Sequence, residues 1–295
     1  MDKKVCIITG ANSGIGKQAA VQIASEGAHV IIACRNEMRG RSALADINAK
    51  KTGGFAELMI VDMACQHSIR SFADEVNRRF PKIDVLIHNA ADFNIARKQA
   101  EYSPEGTESV WAANHVGPVL LTDLLLDALK KSNDGRIITI SSKGLLVKIS
   151  TMVDLSDPEF KNRKYSVTNA YYQSKRAQEM YTLWLAKRLK STSVTANCIR
   201  VTNVKIDISR YPDLSAFMRF LYSIKSKKSI SAKQMARTYT YLALSDDVKG
   251  ISGKCFDENN REVKMNSYTT DPTNIEAVMA LTNKYIKPQG EINES

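Results

Sequence analysis

The sequence predicts an α/β protein: one doubly wound parallel sheet with helices on both faces. Two observations carry this. Over the first 200 residues, short apolar runs alternate with longer stretches of helical period. The apolar runs are continuous rather than alternating in and out. Strands covered on both faces read that way, and a parallel sheet between helix layers covers them. The crossovers are expected to be right-handed.

Taken in order, Val5-Cys-Ile-Ile marks a strand over 4–9, and a helix follows over 15–26. The run His29-Val-Ile-Ile-Ala-Cys34 is the second strand, with a helix over 38–49. A strand over 56–61 leads into a helix ending at Arg79, and Val85-Leu-Ile-His88 is the fourth strand. One long helix is expected over 109–129, a strand over 136–141, a second long helix over 167–189 and a strand over 194–200. The segment 207–230 is apolar and aromatic (Ile208, Tyr211, Phe217, Phe220, Tyr222) and reads as a small lid over a substrate site. Ser231 is placed to cap a helix over 231–245. A last strand near 254–257 and a last helix over 273–286 complete the pattern, the latter within an extension spanning 258–295. No low-complexity linker or internal repeat divides the chain, so residues 1–295 are expected to form a single domain.

Composition narrows the classes of function. With 43% hydrophobic and 25% charged residues, the chain can bury a generous core. No run approaches the ~20 apolar residues of a membrane span, and the N-terminus has no export signal. The five cysteines are scattered without a Cys-x-x-Cys pair, which fits reduced, buried thiols in a cytoplasmic protein. The four histidines lack metal-ligand spacing, so no metal is expected. The formal charge of +11 concentrates at 161–164 and 225–228, but neither cluster is interleaved with aromatics. It reads as solvated surface, not as a nucleic-acid platform.

Three constellations carry chemistry. Thr9-Gly-Ala-Asn-Ser-Gly-Ile-Gly16 links the first strand to the first helix, the context a dinucleotide site requires. Gly10 permits a tight turn, Gly14 lets backbone approach a pyrophosphate, and Gly16 lets helix and strand pack. Asn12, Ser13 and Ile15 complete the turn, and the helix N-terminus offers unpaired N–H groups. At the end of the second strand stands Arg35, where a site for NAD usually has an acidic residue; arginine suits a 2′-phosphate, which favours NADP over NAD. Arg39 and Arg41 add positive charge nearby. Finally, Tyr171 and Lys175 stand four residues apart in a helical run and share one face. An ammonium beside a phenol favours phenolate and lowers its pKa from ~10, as an acid–base group for hydride chemistry needs.

Together with Val61-Asp62-Met63, Asn89-Ala90-Ala91, Asn114-His-Val-Gly117 and Ile140-Ser-Ser142, these motifs resemble the short-chain dehydrogenase/reductase family over nearly all of 4–257. Within it the chain resembles the retinol dehydrogenase-like reductases. The resemblance implies a Rossmann-type fold and a catalytic tetrad of Asn114, Ser142, Tyr171 and Lys175. It implies that Asp62 and Met63 contact adenine, and that Asn89 and Ala90 line the cofactor cleft and steady the central strand. Lys175 would also grip the nicotinamide ribose, and Asn114 would hold a water that refills the proton. Of the adjacent pairs, Ser142 matches the catalytic position better than Ser141, and Tyr171 alone of the two tyrosines has the four-residue step to lysine. The family's dimers usually form through helices matching 109–129 and 167–189, which leaves a homodimer or homotetramer open.

The chain departs from the family in two places. Ala91 replaces a common glycine, tolerable where the backbone does not need positive φ. After the sixth strand, Arg200-Val-Thr-Asn-Val-Lys-Ile206 replaces a Pro-Gly turn followed by threonine, which leaves Thr202 as the stand-in for a cofactor contact. The segment between Ser142 and Tyr171 is long and apolar, as in retinol dehydrogenase-like members; it reads equally as the wall of a roomy pocket or as core or oligomer contact. The expectation is an NADP(H)-dependent enzyme passing hydride between nicotinamide and an apolar ketone, aldehyde or alcohol. The alternative is a non-catalytic NADP-binding sensor. A serine hydrolase is excluded by the absence of Gly-x-Ser-x-Gly.

Overall fold

The computed structural model describes residues 3–50, 53–205, 229–286 and 288. The expected lid over 207–230 lies outside the described residues, apart from its last two positions. From the N-terminus the chain forms β1 (Val5–Thr9), α1 (Gly14–Ser25), β2 (His29–Cys34), α2 (Glu37–Asn48), β3 (Phe55–Ile60), α3 (Gln66–Arg79) and β4 (Val85–His88). It continues with α4 (Ser109–Trp111), α5 (Gly117–Lys130), β5 (Gly135–Ser142), α6 (Val167–Arg188) and β6 (Val194–Val201). The described chain closes with α7 (Ala232–Leu244), β7 (Cys255–Phe256), α8 (Ser267–Thr270) and α9 (Pro272–Asn283).

Seven strands, all parallel, lie in the order β3-β2-β1-β4-β5-β6-β7. The order reverses direction between β1 and β4, and the crevice beyond the strand ends at such a switch point is where this architecture binds ligands. Period-two alternation explains the two cores. Ile7 of β1 packs with α3, α5 and α6 on one face; its neighbours Cys6 and Ile8 pack with α1 and α7 on the other. This is the two-sided burial that the continuous apolar runs imply. Ser231 caps α7 as expected, its side chain accepting from Gln234 N at 3.1 Å.

The helix expected over 109–129 is not uniform. Between α4 and α5 the chain winds as a π-turn over Ala112–Val116, with Asn114 at its centre. Such a widened turn re-aims one side chain without ending the helix, and sequence periodicity does not register it. The C-terminal extension adds a second departure. Ile275 and Val278 of α9 pack against Trp111, Ala177 and Met180, and His115 Nε2 lies 2.8 Å from Thr282 Oγ1. Part of the helix face that the resemblance offers as a dimer surface is therefore covered by the chain's own α9.

Candidate active site

The turn between β1 and α1 is shaped by residues that lack a side chain. Gly10 has φ +66° and Gly14 φ +58°, conformations that only glycine adopts cheaply. A Cβ on Gly10 would also sit 2.8 Å from Ala90 Cα, and one on Gly16 would overlap the amide nitrogen of Asn89. Gly16 thus makes room for Asn89, a closer reason than helix–strand packing in general. Asn89 Nδ2 donates to Thr9 O at 2.8 Å and Gly10 O at 3.2 Å, and Thr9 Oγ1 accepts from Ala90 N at 3.0 Å. Asn89 and Ala90 bind β4 to the turn. No side chain caps α1: Ser13 precedes it without a capping hydrogen bond. Its first N–H groups are available to an anion. These features fit a pyrophosphate, with Asn12, Ser13 and Ile15 on the same turn.

The β5–α6 seam is built from side chains. Lys175 is 2% exposed, its Nζ donating to Ile140 O at 2.9 Å and lying 5.6 Å from the centre of the Tyr171 ring. Burial lowers the Lys175 pKa from 10.5 to about 8. Ile140 lies two residues before Ser142 on β5, so one ammonium connects the tyrosine helix to the serine strand. The two serines point apart, as neighbours on a strand must. Ser141 is buried and donates to Glu179 Oε1 at 2.7 Å; Ser142 is partly exposed at the strand end, its hydroxyl accepting from Gly144 N at 3.2 Å. Ser141 is spoken for structurally and Ser142 is the accessible hydroxyl.

The π-turn delivers Asn114 to the same seam. Its Nδ2 donates to Asp92 O and to Ser174 Oγ, both at 3.1 Å, while Oδ1 accepts from Asp92 N at 2.6 Å. Ser174 Oγ in turn donates to Tyr171 O at 2.7 Å. Both amide hydrogens are spent on the protein, which leaves one lone pair of Oδ1 for a water. Phe93, next to Asp92, packs its ring 4.4 Å from that of Tyr171. Sequence reasoning passed over Phe93 and Ser174. Ser174 stands three residues after Tyr171 on one helix face, a signal the spacing did contain; nothing local marks Phe93.

At the outer rim, Arg35 is three-quarters exposed and its Nη1 lies 3.4 Å from Asp62 Oδ2. Arg41 is taken up by Glu37 at 2.5 Å. Asp62 is fixed from behind, its N–H donating to Ser68 Oγ at 2.9 Å and its Oδ1 accepting from Ala64 N at 3.0 Å. The adjoining Met63 is buried. Ala91 avoids positive φ, so its departure from glycine is free of strain. Thr202 follows β6, where Val204 pairs with Ile230 and Lys205 N donates to Ile230 O at 2.9 Å. The altered loop thus joins the start of α7. Along 143–155, Leu146, Val147, Ile149, Met152 and Leu155 are exposed.

A short chain dehydrogenase family model matches residues 4–154. The chain belongs to the short-chain dehydrogenase family. Within it the chain is retinol dehydrogenase-like: Mus musculus retinol dehydrogenase 13 is 35% identical over 257 residues, covering 86% of this chain and 75% of that protein. Homo sapiens retinol dehydrogenase 14 is 33% identical over 276 residues, covering 89% and 80%. Among solved structures, an uncharacterized protein of Mycobacterium paratuberculosis superposes with a TM-score of 0.73 at 26% identity, covering 96% of this chain and 92% of that one. A short chain dehydrogenase of Shigella flexneri complexed with NADP gives 0.66 at 25% identity, covering 88% and 98%. Membership makes the chain an oxidoreductase of the nicotinamide-binding kind that acts on small molecules. Among the described residues of this short-chain dehydrogenase, no helix is long and apolar enough to cross a membrane.

Proposed function

We propose that the chain is an NADP(H)-dependent oxidoreductase acting on an apolar ketone or aldehyde, or the matching alcohol, with Asn114, Ser142, Tyr171 and Lys175 as its catalytic group. The observation that carries this is the buried Lys175 ammonium held between Ile140 O and the Tyr171 ring. A lysine this deep has a reason to be there other than stability, because burial opposes its charge. A bound nicotinamide would supply or accept the hydride; Gly10, Asn12, Ser13, Gly14, Ile15 and Gly16 would hold its pyrophosphate, and Asp62, Met63, Asn89, Ala90 and Thr202 would line the rest of its cleft.

The chain's own residues have separate tasks. The Ser142 hydroxyl donates to the substrate oxygen as negative charge grows there. Tyr171 Oη gives that oxygen its proton in reduction and takes it back in oxidation. Lys175 favours the tyrosinate and resupplies the proton. Asn114 holds Tyr171 in place through Ser174 and keeps a lone pair for a water. NADP is preferred on the strength of Arg35 at the end of β2, where an acidic residue would serve NAD, and the NADP complex of the Shigella flexneri relative agrees with it. The apolar character of the substrate rests on the exposed Leu146, Val147, Ile149 and Met152 in the segment that follows Ser142 and on the retinol dehydrogenase relatives. A cytoplasmic location is inferred from the five free cysteines, four of them buried.

The test is turnover. NADPH oxidation is followed at its near-ultraviolet band against a panel of apolar aldehydes and ketones, retinaldehyde among them, with wild type and Tyr171→Phe. Wild type is expected to consume NADPH; the variant is expected to lose about 10²–10⁴-fold of that rate and to bind NADPH as before. Tight NADPH binding with no turnover of any carbonyl by wild type favours a cofactor sensor instead, and an active Tyr171→Phe enzyme refutes the proton role.

A further inference from the structure

Tyr239 lies on α7, remote in sequence from the glycine turn, and is fully buried. We propose that Tyr239 is a positioning residue for the cofactor turn, acting through Asn89: its hydroxyl holds the amide that clasps the Thr9 and Gly10 carbonyls. The hydroxyl donates to Asn89 Oδ1 at 3.2 Å, while Asn89 Nδ2 donates to Thr9 O at 2.8 Å and Gly10 O at 3.2 Å. This gives Asn89 a single orientation, since a flipped amide would turn its oxygen toward two carbonyls. Gly16 approaches the same Nδ2 so closely that not even a methyl group fits between them. Burial raises the Tyr239 pKa well above that of an ordinary tyrosine, so the hydroxyl stays protonated and remains a donor.

Removing the donor takes from the half-buried Asn89 Oδ1 the hydrogen bond that fixes it, and an amide no longer held at its oxygen is free to turn. Asn89 can move only by loosening its hold on Thr9 and Gly10, and those two residues set the angle at which the turn meets α1. An error there reaches every N–H offered to the pyrophosphate. α7 therefore acts as a brace behind the turn, as well as a cover for the sheet. The inference rests on the cofactor reading given above, and its test reads binding rather than turnover so that the two fail separately.

Tyr239→Phe removes one oxygen and keeps the ring in its packing. The full-length protein is titrated with NADPH, following quenching of tryptophan fluorescence, and its melting temperature is recorded beside wild type. The Kd for NADPH is expected to rise about fivefold to twentyfold. In a cycle with Asn89→Ala, the double variant is expected to bind no more weakly than Asn89→Ala alone, because among the described residues the hydroxyl reaches the turn through that amide. A wild-type Kd in Tyr239→Phe, even with a lowered melting temperature, overturns the proposal by reducing Tyr239 to a core residue. Effects that multiply in the double variant overturn it equally. Failure of wild type to bind NADPH at all removes the cofactor reading and this proposal with it.

Discussion

The two walls of the cleft work by opposite means. On the β1–α1 side the function lies in what is missing: no Cβ at Gly10 or Gly16 and no capping side chain in front of α1. On the β5–α6 side it lies in side chains held by buried partners: Lys175 on Ile140 O, Asn114 on Asp92 and Ser174, Ser141 on Glu179. A wall made of backbone can grip only a fixed, shared object such as a pyrophosphate, because main chain varies little. A wall made of side chains can tune acidity and charge, because burial and neighbours act on titratable groups. On the proposed function, binding and chemistry are divided between the two sides of one switch point, and substitutions on each side are expected to fail differently.

After the loss expected of Tyr171→Phe, the largest effect lies within the second wall, between two adjacent hydroxyls. Ser142→Ala should lower kcat/KM by about 10²–10³-fold, the usual loss when a donor to a developing oxyanion is removed. Ser141→Ala takes a donor from the buried Glu179, whose pKa burial already raises and which keeps Arg176 at 3.2 Å and the charge of Arg200. That variant should lose about 1–3 kcal/mol of stability and keep most of its activity. Urea unfolding and steady-state kinetics on both proteins check the contrast. Equal losses of activity would mean that the division between accessible and structural serine is wrong.

What the sequence discloses follows the same division. The strands and helices were legible because continuous apolar runs and helical periodicity are properties of neighbouring residues; His29–Cys34 and Val85–His88 fall where the pattern puts them. The glycine turn was legible for a related reason, since positive φ demands a residue type at a fixed spacing. Tyr171 and Lys175 were found because a helix converts four residues of sequence into one face. Partners brought together by topology were not legible. Tyr239 meets Asn89 across 150 residues, and the π-turn at Asn114 follows from tertiary contacts with Asp92 and Ser174 that no local period encodes. The same limit hid α9 against the face of α6, which only the fold places there.

Lys175 gives the next largest effect, and its sign runs against intuition. No acidic side chain among the described residues pairs with it; its pKa falls from 10.5 to about 8 because burial opposes the charge. While protonated, it therefore costs the folded state about 3 kcal/mol. Lys175→Met removes that penalty and gives up the hydrogen bond to Ile140 O, worth about 1 kcal/mol, so the inactive variant should be more stable than wild type by about 2 kcal/mol at neutral pH. The gain depends on pH. The native state sheds this proton near pH 8 and the unfolded chain near 10.5, so wild-type stability rises across that window and the advantage of Lys175→Met fades through it. Denaturation curves at pH 7 and pH 10 check this, and a variant less stable than wild type at pH 7 would show that the amine is not strained by burial.

Arg35 should give the smallest effect, because it differs from Lys175 in every respect that matters to energy. Three-quarters of its side chain is in solvent, and Asp62 lies 3.4 Å away. An exposed pair of this kind contributes little to stability and is screened by salt, so Arg35→Ala should leave the melting temperature almost unchanged. Its consequence should fall on the cofactor alone. On the proposed preference for NADP, the guanidinium after β2 meets the 2′-phosphate, and losing one solvent-exposed contact of that type should raise the KM for NADPH about tenfold while leaving the KM for NADH where it was. The wild-type preference for NADPH should also shrink as ionic strength rises, and the variant should show little of that dependence. If Arg35→Ala raised both KM values by one factor, Arg35 would be shaping the wall of the cleft rather than reading the phosphate, and the first wall would select its cofactor through backbone alone.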